Sequence, residues 1–236
     1  SMAMRVLFFM GVCHLQLGNA QQAMLLFERL QDESGTMLDA DAMGKLRRYY
    51  GQLADKIAAA HKEDGSKKEL LLLAGRARFR AGQLDEAGAL YRRYEREVGP
   101  DAGPMQKLRE DSLREYYEAV VRREKKRLTE EAAGPETYLS IGEAQLGLGD
   151  DEAAVDAFDS YREVTGGGST ARLQAGYRTL AQKLEGRVGP ALLVSGRAMF
   201  GLGDLPAAAG RYARYRSENP RPPLAYRERL ARYLRE

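Results

Sequence analysis

The chain has 236 residues, 44% of them hydrophobic, which is enough to bury a substantial core and excludes a disordered polymer. Its 37 Lys and Arg are offset by 34 Asp and Glu, so a net charge of +3 and a pI near 8.9 do not by themselves imply a nucleic-acid ligand. The single cysteine excludes an internal disulfide, two histidines with one cysteine argue against a zinc site, and no run of about 18 apolar residues is present to cross a membrane.

Strand formers are sparse while Leu, Ala, Arg and Glu are abundant, so an all-α class is expected. At the start, Ser1 ahead of Met2 reads as an expression scar covering residues 1–3, with the natural protein extending past at least one end. Arg5 followed by the apolar run Val6 to Cys13 has the look of a signal peptide, but the same residues fit a helical register that returns later, and Cys13 is expected in the core. That register opens a helical hairpin over residues 4–34. Leu46, Tyr49, Tyr50, Leu53 and Ile57 then repeat at spacings of three and four, the signature of an amphipathic helix.

A second hairpin is predicted over 68–99, followed by the helical run Leu108, Leu113, Tyr116, Tyr117, Val120 and Val121. A third spans 135–166, followed by Leu173, Tyr177, Leu180 and Leu184, and a fourth spans 189–220, followed by Leu224, Tyr226, Leu230, Tyr233 and Leu234. Polar or Gly-rich breaks between units are expected at 62–68, 99–104, 130–135, 166–170 and 219–223.

The four hairpins align without a gap. Gly11, Gly75, Gly142 and Gly196 are each followed by glycine seven residues on (Gly18, Gly82, Gly149, Gly203), by alanine at twelve (Ala23, Ala87, Ala154, Ala208), and by an aromatic at sixteen (Phe27, Tyr91, Phe158, Tyr212). The first glycine and the alanine let two helices approach closely, and the second glycine ends helix A in a left-handed turn. Asn19, Asp150 and Asp204 then stand where they can cap helix B, with Gln83 a poorer substitute.

This pattern resembles the tetratricopeptide repeat family, and the resemblance covers more than half the chain. It implies a right-handed α-solenoid, expected here as one superhelical domain over 4–236 built from units 4–66, 67–133, 134–187 and 188–236. The first glycines stand at 11, 75, 142 and 196, separated by 64, 67 and 54 residues instead of the family's period of about 34, so a third helix is expected after each hairpin, about twelve helices in all. Where the family usually places a small residue, three positions past the helix B aromatic, this chain has Leu30, Tyr94, Tyr161 and Tyr215, and the third helix is expected to pack there.

No catalytic constellation is found, so an enzyme is not expected and no cofactor is implied. Gly166-Gly167-Gly168-Ser169-Thr170 lacks the lysine and spacing of a phosphate loop and reads as a turn. Gly147-Leu148-Gly149 and Gly201-Leu202-Gly203 mimic nucleotide fingerprints but follow helices instead of strands. The seven acids between Gly134 and Ser160, with no Lys or Arg, and the local balance of +4 from Asp204 to Glu236 fit either solvated helix faces or pairing with neighbouring surfaces. The run Arg122 to Arg127 is read as cations late in a helix in preference to a nucleic-acid patch.

In the resembling family helix A lines the concave surface and meets an extended peptide. The resemblance therefore implies a partner-binding row of Arg76, Phe79, Arg80, Glu143, Arg197 and Phe200, with Phe8, Val12, Leu15, Gln16, Leu72, Leu139, Leu146 and Leu193 in the same register and core packing the alternative for the Leu and Phe positions. The function expected is a non-catalytic scaffold that holds a protein partner in a bacterial assembly, in the cytoplasm or periplasm. A second expectation is a periplasmic scaffold of exopolysaccharide export that recruits a modifying enzyme or contacts polysaccharide, and a third is a helical repeat that binds nucleic acid.

Overall fold

The computed structural model describes residues 2–34, 38–99, 103–130 and 133–219. The hydrophobic periodicities in that range fold as α1 (Met2–Gln16), α2 (Ala20–Ser34), α3 (Ala40–Glu63), α4 (Glu69–Arg80), α5 (Leu84–Val98), α6 (Gln106–Thr129), α7 (Glu136–Leu148), α8 (Asp151–Val164), α9 (Ala171–Lys183), α10 (Ala191–Gly201) and α11 (Leu205–Glu218). A single 3-10 turn, Gly103–Met105, precedes α6, and no strand occurs among the described residues. The all-α fold of repeated hairpins with an inserted third helix is therefore as the sequence predicts. The closing run Leu224 to Leu234, the twelfth expected helix, lies outside the described residues.

Each hairpin closes on the same contact. A Cβ placed on Gly75 would stand 2.7 Å from the Tyr91 ring, and one on Gly196 would stand 2.5 Å from the Tyr212 ring; Gly11 meets Phe27 and Gly142 meets Phe158 in the same way. The aromatic of helix B thus lies flush on the bare backbone of helix A, and Ala23, Ala87, Ala154 and Ala208 are buried beside it. All four turn glycines have φ between 80° and 84°, where an L side chain is strained. Asp150 and Asp204 cap α8 and α11 by accepting from Ala153 N at 3.0 Å and Ala207 N at 3.1 Å. Asn19 turns instead toward His14 Nδ1 at 3.5 Å, and Gln83 accepts from Arg78.

The third helix packs where the sequence leaves room for it. Its tyrosine sits edge-on to the helix B aromatic in three hairpins, with ring centroids 5.7 Å apart for Phe27 and Tyr50, 5.3 Å for Tyr91 and Tyr116, and 5.6 Å for Phe158 and Tyr177. Leu30, Tyr94 and Tyr161 are buried, as expected of a position covered by helix; Tyr215 is buried as well, and the helix expected over it lies outside the described residues. The third helix also packs on the next helix A, α3 against α4 and α9 against α10. Gly147 receives the Tyr117 ring and Gly201 the Tyr177 ring, which explains the two G-L-G sequences: the first glycine is a seat for a tyrosine and the second is the left-handed turn.

The chain separates into two compact units, Ser1–Tyr116 and Tyr117–Glu236. Unit 1 is built on Phe27, Leu46, Tyr50, Leu53, Ala74 and Ala77; unit 2 on Phe158, Leu173, Tyr177, Leu180 and Ala198. No helix among the described residues is long and apolar enough to cross a membrane.

Three expectations are corrected. Cys13 is exposed, because Gly11 and Leu15 take the inward positions of α1 and a residue midway between them points the opposite way. The breaks at 99–104 and 166–170 precede third helices instead of separating units, while a turn at 184–190, missing from the expected breaks although the expected unit boundary at 187/188 falls within it, separates α9 from α10 with Gly186 and Gly189 in left-handed conformation. Leu15, Leu72, Leu139 and Leu193 are core residues and line no open surface.

Candidate functional site

Helix A presents the row that family resemblance singles out, and the structure shows what each member touches. In unit 1, Arg76, Phe79 and Arg80 share one face of α4 at spacings of three and four. Glu28, at the middle of α2, bonds Arg76 Nε closely and lies 3.6 Å from Arg80 Nε. Arg76 also donates to Ser112 Oγ at 2.9 Å, and Arg80 pairs with Glu115 Oε2 at 2.8 Å, both partners standing on α6. The Arg80 guanidinium lies 5.7 Å from the Phe79 ring centroid. Burial works against the charged form of Arg76, but the hydrogen bond and charge of Glu28 outweigh it and raise its pKa.

The two ends of this cluster differ in how firmly they are held. The side chains of Arg76 and Glu28 are only 12% and 16% exposed, whereas Glu115 is 38% exposed. Arg80 Nε is buried and makes no hydrogen bond to a protein group, and the same holds for the Tyr91 hydroxyl. Arg80 is thus a preorganised guanidinium whose carboxylate partner is itself half in water.

In unit 2 the corresponding row is dispersed. Arg197 is buried and donates from Nε to Asp159 Oδ2 at 2.8 Å and pairs through NH2 with Asp156 Oδ1 at 2.7 Å. Asp159 Oδ1 accepts the Tyr177 hydroxyl at 2.7 Å, so one carboxylate joins α8, α9 and α10. Glu143 is exposed and bound on both oxygens by Arg172, which also reaches Glu136 at 2.8 Å. Phe200 lies 5.2 Å beneath the Arg162 guanidinium. The structure therefore brings Arg76, Phe79 and Arg80 together, and it places Glu143 apart from Arg197 and Phe200, each in its own contacts.

The acid-rich segment is largely matched from within unit 2: Glu136 and Glu143 by Arg172, Asp151 by Lys183 at 2.6 Å, Asp156 and Asp159 by Arg197. The basic run on α6 is matched likewise by Glu118, Glu124 and Glu130. His61 is buried between Lys67 O and an Arg93 nitrogen, each at 3.3 Å, and serves the turn between α3 and α4.

Sequence reasoning missed Glu28, Glu115 and Asp159. A signal for two of them was present: an acid directly follows the helix B aromatic in the first and third hairpins (Phe27-Glu28, Phe158-Asp159), and an arginine directly follows the helix A glycine in the next (Gly75-Arg76, Gly196-Arg197). These are the residues that pair. Glu115 carries no such signal, because its position on α6 lies outside the repeat.

A second surface lies at the start of unit 1. Met2, Val6, Phe9 and Met10 are exposed on α1 and Leu17 in the turn that follows it, and Phe9 is 63% exposed. Phe9 also lines a groove of about 560 Å³, together with Met4, Arg5, Phe8, Leu30 and Lys45.

No family model matches the chain, and no curated protein matches it by sequence. Among solved structures it is similar to MamA of AMB-1, at 12% identity over 95% of this chain and 96% of that one with a TM-score of 0.23. It is also similar to yeast Tom70, at 10% identity over 93% of this chain and 63% of that one with a TM-score of 0.20. The fold assignment rests on the helices and seams described above.

Proposed function

We propose that this chain is a non-catalytic protein-binding scaffold whose α4 row, Arg76, Phe79 and Arg80, receives an extended partner segment carrying an acidic side chain next to an apolar one. The observation that carries this reading is the unequal pairing of Arg80. Its Nε makes no hydrogen bond and lies 3.6 Å from Glu28, while its NH2 is held by the Glu115 carboxylate, which is 38% exposed and is the group an incoming carboxylate would displace. Arg76, fixed by Glu28 and Ser112, holds the row in place, and Phe79 supplies apolar contact area beside the charge. Arg197 is buried on Asp156 and Asp159 and serves the packing of unit 2, outside the proposed contact.

The test is titration of extended peptides that vary in acidic and apolar content against the wild-type chain and the variants Arg80→Gln and Phe79→Ala, with thermal unfolding recorded for each. Peptides with an acid beside an apolar residue are expected to bind the wild type and to lose about tenfold in affinity to either variant while Tm holds. Binding that ignores both substitutions, or no binding by any peptide, contradicts the assignment. The finer reading, a role in exopolysaccharide export, is tested by glycan titration, where saturable binding that Phe79→Ala abolishes is the supporting result.

A further inference from the structure

We infer that Tyr91 is a specificity residue of the α4 row: its hydroxyl, together with Arg80 Nε, donates to the carboxylate of the incoming segment, so that the row selects an acid over its neutral amide. This rests on the binding role proposed above for Arg80 and names a second donor for the same ligand. Both atoms are buried and make no hydrogen bond to a protein group. A buried polar group without a partner is costly and uncommon, and two such donors in one cluster point to a shared acceptor.

The Tyr91 ring is fixed from two sides. On α4 it lies over Gly75, its hydroxyl-bearing carbon 3.3 Å from the place of a Cβ, and it stands edge-on to Tyr116 on α6 with ring centroids 5.3 Å apart. The adjoining residues on those helices form the clamp itself: Arg76 follows Gly75, and Glu115, which holds Arg80, precedes Tyr116. Burial pushes the Tyr91 phenol above its usual range, and Arg76, Glu115, Arg80 and Glu28 all act on it through their charges, so at neutral pH it stands in this cluster as a donor. A carboxylate that replaces Glu115 on Arg80 NH2 keeps lone pairs free to accept from Nε and from the hydroxyl.

The hydroxyl is not needed for packing. Phe27 and Phe158 occupy the same register in the first and third hairpins, fully buried over Gly11 and Gly142. Tyr212 bears a hydroxyl in the fourth, but the residue five past its helix A glycine, where Arg80 stands in the second, is Gly201. The first and third hairpins have Gln16 and Gly147 there, so tyrosine and arginine coincide in the second hairpin alone.

The test uses the full chain and two extended peptides, one with a single Glu flanked by leucines and one with Gln in its place. Each is titrated against the wild type, Tyr91→Phe and Arg80→Gln, with a melt recorded for every variant. Tyr91→Phe is expected to bind the Glu peptide about tenfold more weakly than the wild type, the loss of one hydrogen bond to a charged group. It is expected to bind the Gln peptide as the wild type does and to melt no lower. An unchanged affinity of Tyr91→Phe for the Glu peptide, beside a loss in Arg80→Gln, overturns the inference and leaves the reading of Arg80 standing. Equal losses on both peptides, or a lowered melt, assign the hydroxyl to the fold and overturn it as well. Where Arg80→Gln has no effect, or the wild type binds neither peptide, the reading of Arg80 falls and the inference with it.

Discussion

At the scale of the residue, the account turns on glycines that are not interchangeable. Gly196 supports the Tyr212 ring and Gly210, one helix later in the same hairpin, has no atom within 4 Å of the place a Cβ would occupy. Gly196→Ala is therefore expected to destabilise by about 1–3 kcal/mol through overpacking, while Gly210→Ala stabilises by about 0.5–1 kcal/mol by removing backbone entropy from a helix interior. Chemical denaturation of the two variants side by side checks this, and a loss of similar size in both would show that the seam is not tight. Arg197 is a second such residue: Arg197→Met removes its hydrogen bond to Asp159 and its ion pair with Asp156, and a loss of about 1.5–3 kcal/mol is expected from the missing charged hydrogen bonds.

At the scale of the element, the third helix is what separates this chain from a simple stack of hairpins, and a single ring locks it. Tyr177 is fully buried, sits edge-on to Phe158, fills the space over Gly201 and donates to Asp159. Tyr177→Phe keeps the packing and loses one hydrogen bond, so a cost of about 1–2 kcal/mol is expected, against about 3–5 kcal/mol for Tyr177→Ala. Equal costs would mean that the ring itself does not hold α9. Much of this element was legible in sequence, because spacings of three and four in Leu173, Tyr177, Leu180 and Leu184 announce a helix and the large residue at Tyr161 announces that something covers helix B. The ion pairs were less legible: periodicity tells which face of a helix is buried, but not which acid on a neighbouring helix an arginine will reach, and so Glu115 could not be named. Cys13 misled because an apolar run of eight residues offers no polar position to mark the outer face of α1.

At the scale of the whole molecule, buried tyrosines tie stability to alkaline pH. Burial raises the pKa of Tyr50, Tyr91 and Tyr177, with the Asp159 carboxylate adding to the effect on Tyr177. A phenol that ionises more readily in the unfolded chain, near pH 10, contributes stability that is fully present below that pH and lost above it. Thermal midpoints are expected to hold to about pH 9 and to fall steadily beyond about pH 10, with tyrosinate absorbance rising together with unfolding; ionisation of all tyrosines ahead of unfolding would contradict it.

The most direct measurement of the functional account is the affinity of an acidic, apolar-flanked peptide for Glu115→Gln compared with the wild type. Removing the competing carboxylate frees the NH2 of Arg80, and the peptide is expected to bind several-fold more tightly, with the gain disappearing in Glu115→Gln combined with Arg80→Gln. Unchanged affinity, or a gain that persists without Arg80, would contradict the claim that this guanidinium is the receptor.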